Sequence, residues 1–141
     1  MVADTEIVRD RINRIRRYVR ELRAFSAITL EDFRRNTERQ YAVLHALQMA
    51  IEACIEIGTH ICAADAHGVP SSYTETFQLL ENGGCLAAGL ASDLRAMARF
   101  RNRIVHFYWE TDPDHVYGIL KEHLDDFDRY VKAIEEYLAP G

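Results

Sequence analysis

From Leu30 to Ala64 the apolar residues return every three or four positions, with no proline to interrupt them. Phe33, Tyr41, Leu44, Leu47, Ile51, Ile55 and Cys62 supply much of that stripe, which has the period of an α-helix. A helix of this span would be roughly 50 Å long at 1.5 Å per residue. That exceeds the usual globular length and leaves room for a bend or break near Asn36-Thr37. The middle, Ala46 to Ile57, is rich in small and apolar residues, so it must be covered by more than one neighbour. Glu52 and Glu56 nevertheless sit inside it, one turn apart. They read as a polar strip along the helix, the alternative being that each meets a cation.

The rest of the chain follows the same period. A first helix is predicted from Thr5 to Ala24 on Ile7 or Val8, Ile12, Ile15, Val19 and Leu22. Phe25 to Ile28 is a link, and Thr29 caps the long helix with an acid, Asp32, at the third helical position. Gly68 closes that helix. Ser72 and Glu75 have capping-box spacing and open a short helix, Tyr73 to Glu81, which Asn82-Gly83-Gly84 stops. The next helix begins near Cys85 or Leu86 and repeats Leu90, Met97 and Ile104 every seven residues, running through Arg101 to Tyr108. Asp112 caps and Pro113 starts the last helix, carried by Val116, Ile119, Leu120, Leu124, Phe127, Tyr130 or Val131, Ile134 and Leu138. Alternating β-branched runs are absent. The expected fold is therefore all-α, an antiparallel bundle of four main helices plus one short helix, in a single domain over residues 1–141.

Charge and cysteine usage limit the setting. The net charge of −5 argues against a surface coated in basic residues, yet seven arginines lie between Arg9 and Arg23, opposed there only by Asp10 and Glu21. The segment from Glu110 to Glu136 is acidic in turn. The arginines read either as a solvated face or as a phosphate-attracting one. No stretch approaches an 18-residue apolar run, and the first residues lack a signal-peptide pattern, so no membrane span is expected. Cys54, Cys62 and Cys85 lack metal-ligand spacing and read as buried thiols in a reducing compartment, by default the cytoplasm. His60 and His67, with Asp65 between them, and the pair His115 and His123 read as structural or solvated rather than metal ligands.

Chemistry concentrates between Arg99 and Trp109, where three arginines, an asparagine, a histidine and several aromatic rings occupy eleven residues. On a helix Asn102 and His106 share a face, and Arg101 lies about 140° from His106 around the axis. These residue types suit a phosphodiester. A neutral histidine accepts the proton of a 2′-hydroxyl, and a protonated one donates to the leaving 5′-oxygen. Arginine stabilises charge building on the phosphorane oxygens, and asparagine orients the histidine or holds a phosphate oxygen. The product would be a 2′,3′-cyclic phosphate, with no metal required. A two-fold copy of the helix would supply a second Arg–His set.

The run Arg101-Asn102-Arg103-Ile104-Val105-His106-Phe107-Tyr108 resembles the signature of the HEPN superfamily, and more narrowly its HepT-like toxin branch. Gln48 to Glu52, Ile57 to Ile61 and the Asp112-Pro113-Asp114-His115-Val116 opening of the last helix extend the likeness over nearly the whole chain. The resemblance implies an all-helical homodimer and a metal-independent endoribonuclease toxin of a type VII-like toxin–antitoxin pair. It implies Arg101 and His106 of both subunits as catalytic residues, with Asn102 and Tyr108 in support. It also implies a small nucleotidyltransferase antitoxin that transfers AMP to Tyr108. Arg9, Arg16, Arg20, Arg99 and Arg103 are the candidates for RNA-phosphate contacts. No cofactor, metal or membrane enters this reading. A noncatalytic module that binds nucleotide, RNA or a partner through the same cleft is the alternative.

Overall fold

The computed structural model describes residues 3–106 and 110–140. Among them the chain forms seven α-helices and no β-strand: α1 (Thr5–Phe25), α2 (Leu30–Arg35), α3 (Thr37–Ala64), α4 (Tyr73–Asn82), α5 (Ala88–His106), α6 (Pro113–Glu122) and α7 (Leu124–Leu138). The all-α class stands, but the expected count of four main helices and one short one does not. Two of the predicted helices are broken. Asn36 leaves helical geometry at φ −113°, ψ 89°, and its side chain accepts from the Arg39 N–H to cap α3. The Gln40 amide then donates to the Arg34 carbonyl and joins the Asn36 N–H on the Phe33 carbonyl. His123 likewise departs to φ −120°, ψ 5°, which divides the last helix into α6 and α7. The break lets α6 pack against α2 while α7 lies along α1 and α5.

The locally encoded caps form as expected. Thr29 Oγ1 accepts from the Asp32 N–H at 3.2 Å, Ser72 Oγ from Glu75 at 3.1 Å, and Asp112 Oδ1 from Asp114 at 2.9 Å. The close of α3 differs from expectation. Ala66, not Gly68, is the first residue to take a left-handed conformation, at φ 58°, and the His67 N–H donates back to the Cys62 carbonyl at 3.0 Å.

Among the described residues α3 is the helix in contact with all six others. Its small-residue middle is therefore buried on several sides at once, from Val43 to Cys62. By length and composition alone α3 could cross a membrane, yet 61% of its most apolar window is buried in this core. Close packing against α4 depends on Gly58. A Cβ there would lie 2.6 Å from Thr76 Cγ2 and 3.0 Å from Leu80 Cδ1. Gly58→Ala gains roughly 1 kcal/mol of helix propensity but overpacks this contact at a cost of about 1–3 kcal/mol. The expected result is a lower urea midpoint at unchanged m-value.

The two ends of opposite charge meet on the surface of the bundle. Arg16 pairs with Glu135 at 3.3 Å, and Arg23 pairs with Asp125 and Asp128, so α1 is laced to α7. Arg34 of α2 pairs with Asp114 of α6 at 2.6 Å. Exposed pairs of this kind contribute about 0–1 kcal/mol each, so they fix how helices sit rather than hold the fold together.

Candidate active site

α5 presents the predicted residues because its opposite face is tied down. Leu90, Leu94, Met97, Phe100 and Ile104 are buried against the bundle, which turns Arg101 toward α3. There Arg101 Nε and Nη2 both donate to Glu52 Oε1, at 3.0 and 2.8 Å. Glu52 also accepts from Gln48 Nε2 at 3.3 Å. Arg101 Nη1 reaches Asn102 Oδ1 at 3.4 Å, and the guanidinium lies over the Tyr73 ring, 4.8 Å from its centroid. The Arg101 and Glu52 side chains are 17% and 26% exposed, so this is a half-buried pair. It is screened less than a surface pair and holds the guanidinium in one place.

One turn along α3, Glu56 pairs with Arg11 Nε of α1. Both acidic residues thus meet cations, and the polar-strip reading of Glu52 and Glu56 is set aside. Apolar residues and these ion pairs line a cleft of about 570 Å³, with Ile7, Ile55, Thr59, His60 and Tyr73 completing its wall beside Arg11, Glu52, Glu56 and Arg101. His60 Nε2 accepts the Asp4 backbone N–H at 2.8 Å, which fixes its proton on Nδ1 and pins the start of α1 to the cleft.

α5 remains helical to its last residue, His106, which is exposed. Asn102 and His106 therefore keep their shared face, with Asn102 half-buried. His106 does not line the Arg101 cleft. Tyr108, with Phe107 and Trp109, lies outside the described residues. The predicted phosphate contacts divide in two. Arg99 and Arg103 are exposed on α5, on either side of Arg101 in sequence. Arg9 and Arg16 line a different groove between α1 and the end of α7, beside Leu138 and Pro140. Arg20 is exposed, and helical spacing puts it on the same flank as Arg9 and Arg16. The α1 arginine that does reach the cleft, Arg11, is one of seven between Arg9 and Arg23. The only signal was that Glu52 and Glu56 both needed partners.

The other candidate ligands have structural work. His67 Nε2 donates to Tyr137 Oη at 2.8 Å, because that hydroxyl gives its own proton to Asp65 at 2.6 Å. His115 packs on the Phe100 ring and His123 Nδ1 bonds Asp126 at 3.1 Å. All three cysteines are free and buried. Burial pushes each thiol up, Cys85 to about 11, so none offers a thiolate near neutral pH.

Comparisons with known proteins converge. The model of a family described as Ribonuclease HepT-like matches residues 15–134. The chain is 33% identical over 103 residues to the mRNA nuclease HepT of Shewanella oneidensis, covering 73% of this chain and 77% of that one. It is 31% identical over 132 residues to the tRNA nuclease HepT of Aphanizomenon flos-aquae, covering 94% and 90%. The fold superposes on a solved structure of a tri-AMPylated Shewanella oneidensis HEPN toxin in complex with its MNT antitoxin. There the TM-score is 0.85, with 29% identity and coverage of 92% of this chain and 97% of the other.

Proposed function

Since the chain belongs to the HepT-like ribonuclease family, we propose that it is a metal-independent endoribonuclease, the toxin of a toxin–antitoxin pair. Two relatives are named as nucleases of mRNA and of tRNA, so RNA is the substrate class. Arg101 and His106 are the catalytic residues of this reading. The 2′-oxygen attacks the adjacent phosphorus as His106 takes its proton. Arg101 N–H groups stabilise the charge that builds on the phosphorane oxygens. The 5′-oxygen then leaves with a proton from a second histidine, giving a 2′,3′-cyclic phosphate and a 5′-hydroxyl end.

One observation carries the two-chain form of this site. Because α5 is helical through His106, Arg101 and His106 leave its axis about 140° apart. Arg101 opens on the cleft and His106 does not. A second copy of the chain brings its own His106 to the first copy's Arg101, so the homodimer is part of the machinery. Asn102 supports Arg101 through its Oδ1. Arg99 and Arg103 hold flanking phosphates, while Arg9, Arg16 and Arg20 form a separate basic flank. The proposed location is the cytoplasm, where RNA and the partner are found.

Glu52 positions Arg101 in this reading. Glu52→Gln removes the charge that holds the guanidinium while keeping the side chain's size. A small misplacement of a reacting group costs about 10²-fold, and that loss in kcat with little change in KM is expected for Glu52→Gln. Cleavage of labelled RNA under saturating conditions checks it.

The partner is a nucleotidyltransferase antitoxin, as in the solved complex of the relative. The Tyr108 phenolic oxygen attacks the α-phosphorus of ATP, pyrophosphate leaves, and AMP remains on the tyrosine. Two residues from His106, that group adds bulk and negative charge where substrate phosphate must enter. Protein produced with its antitoxin is expected to carry AMP by intact mass, and Tyr108→Phe is expected to escape both the adduct at that residue and its silencing.

A further inference from the structure

We propose that Arg11 forms a second phosphate subsite beside Arg101, so that the cleft holds two consecutive phosphates of one RNA strand lying along α3. The inference rests on the ribonuclease reading above and adds a substrate contact to it. Glu52 and Glu56 are four residues apart on one face of α3, a separation of about 6 Å along the axis. That is close to the spacing of consecutive phosphates in an extended single strand. Each carboxylate grips one guanidinium, Glu52 holding Arg101 and Glu56 holding Arg11. All four line the same cleft. α3 therefore acts as a ruler that sets two planar forks one phosphate step apart.

Both guanidiniums keep donors for a ligand. Arg101 spends Nε and Nη2 on Glu52 and one Nη1 hydrogen on Asn102. Arg11 spends Nε on Glu56 and an Nη1 hydrogen on Asp10. The remaining η N–H groups are suited to paired donation to phosphate oxygens. The carboxylates hold the inner edges, so less side-chain freedom is lost when a phosphate arrives. At about 570 Å³ the cleft has room for more than a single phosphate group, and Ile7 and Ile55 give the strand's sugars and bases apolar surface. α1 contributes Arg11 from the flank opposite Arg9 and Arg16, so the subsite is separate from the basic groove at α7.

The test compares binding and cleavage. Non-cleavable 2′-deoxy dinucleotides are titrated into the dimer with no terminal phosphate, with a 5′-phosphate and with a 3′-phosphate. One of the two added phosphates is expected to tighten binding of wild type about tenfold, the size of one charge-assisted contact. In Arg11→Ala the ratio falls to near one, and Arg11→Lys retains part of it. Thermal unfolding of both variants verifies that α1 is still docked, and Arg11→Lys decides the matter if Arg11→Ala fails to fold. No gain from either phosphate in wild type, or an equal gain in the Arg11 variants, overturns the subsite. Cleavage of the matching ribonucleotides is read in parallel. Cleavage by wild type with no phosphate gain removes the subsite and leaves the nuclease. Binding gain lost with Arg11, without cleavage, keeps the subsite and removes the nuclease.

Discussion

His106→Ala leaves RNA uncut under conditions where the wild-type protein cleaves it in EDTA. General acid–base catalysis contributes about 10²–10⁴-fold, and a site that uses two histidines from two copies loses both roles in the homodimeric variant. The expected fall in kcat is therefore at the upper end of that range. His106 is exposed at the end of α5 and outside the buried core, so its truncation opens no core cavity. A variant with wild-type thermal unfolding and no cleavage assigns the loss to chemistry. Cleavage retained within a few-fold of wild type removes His106 from the mechanism.

The largest expected effect on stability is at Tyr130. Its ring is fully buried and meets Phe77 edge-on at a centroid separation of 5.8 Å, and its hydroxyl oxygen lies beside Gly58 of α3. Its hydroxyl donates to the Cys54 carbonyl at 2.8 Å. Tyr130→Ala removes a large aromatic side chain from a site bounded by helices, at a cost of about 3–5 kcal/mol. Against a total stability of about 5–15 kcal/mol, that is enough to leave a large fraction unfolded in mild denaturant. Tyr130→Phe keeps the ring and loses the hydrogen bond, at a cost of about 1 kcal/mol. Urea unfolding followed by circular dichroism should rank wild type, Phe and Ala in that order with wide spacing before Ala. A Phe variant as damaged as Ala would mean the hydroxyl, not the packing, holds α7 to α3.

Local signals in the sequence carried far. The caps at Thr29, Ser72 and Asp112 were legible because a cap needs only residues two or three apart. The break at His123 was not, because Leu120, Leu124 and Phe127 keep helical spacing across it and the apolar stripe runs on unbroken. At Asn36 the excessive length of the predicted helix gave the only warning. The left-handed Ala66 was missed because its position would suit glycine or asparagine better. In the site, Arg101, Asn102 and His106 were legible as a motif on one helix. The Glu52–Arg101 and Glu56–Arg11 pairs join residues 49 and 45 positions apart. Such pairs depend on how α1, α3 and α5 pack, and helical period does not encode that. Charge asymmetry between the two ends was visible, but its use as a lacing of α1 to α7 was not.

The central claim is that Arg101 of one copy works with His106 of another on an RNA phosphodiester. The direct test is complementation in EDTA. Purified Arg101→Ala and His106→Ala proteins are each assayed on a 5′-labelled RNA pool, then unfolded together and refolded as a mixture, with intact mass recorded to verify that Tyr108 carries no AMP. The account predicts two inactive parents and a mixture that cleaves above both, yet below roughly a quarter of wild type, because each mixed dimer keeps one Arg101 and one His106 and lacks the second histidine. About half of randomly paired dimers are mixed, and each mixed dimer retains one of two Arg–His combinations. A folded, unmodified wild type that cuts no RNA would contradict the nuclease reading. A mixture as silent as its parents beside an active wild type would contradict the shared site.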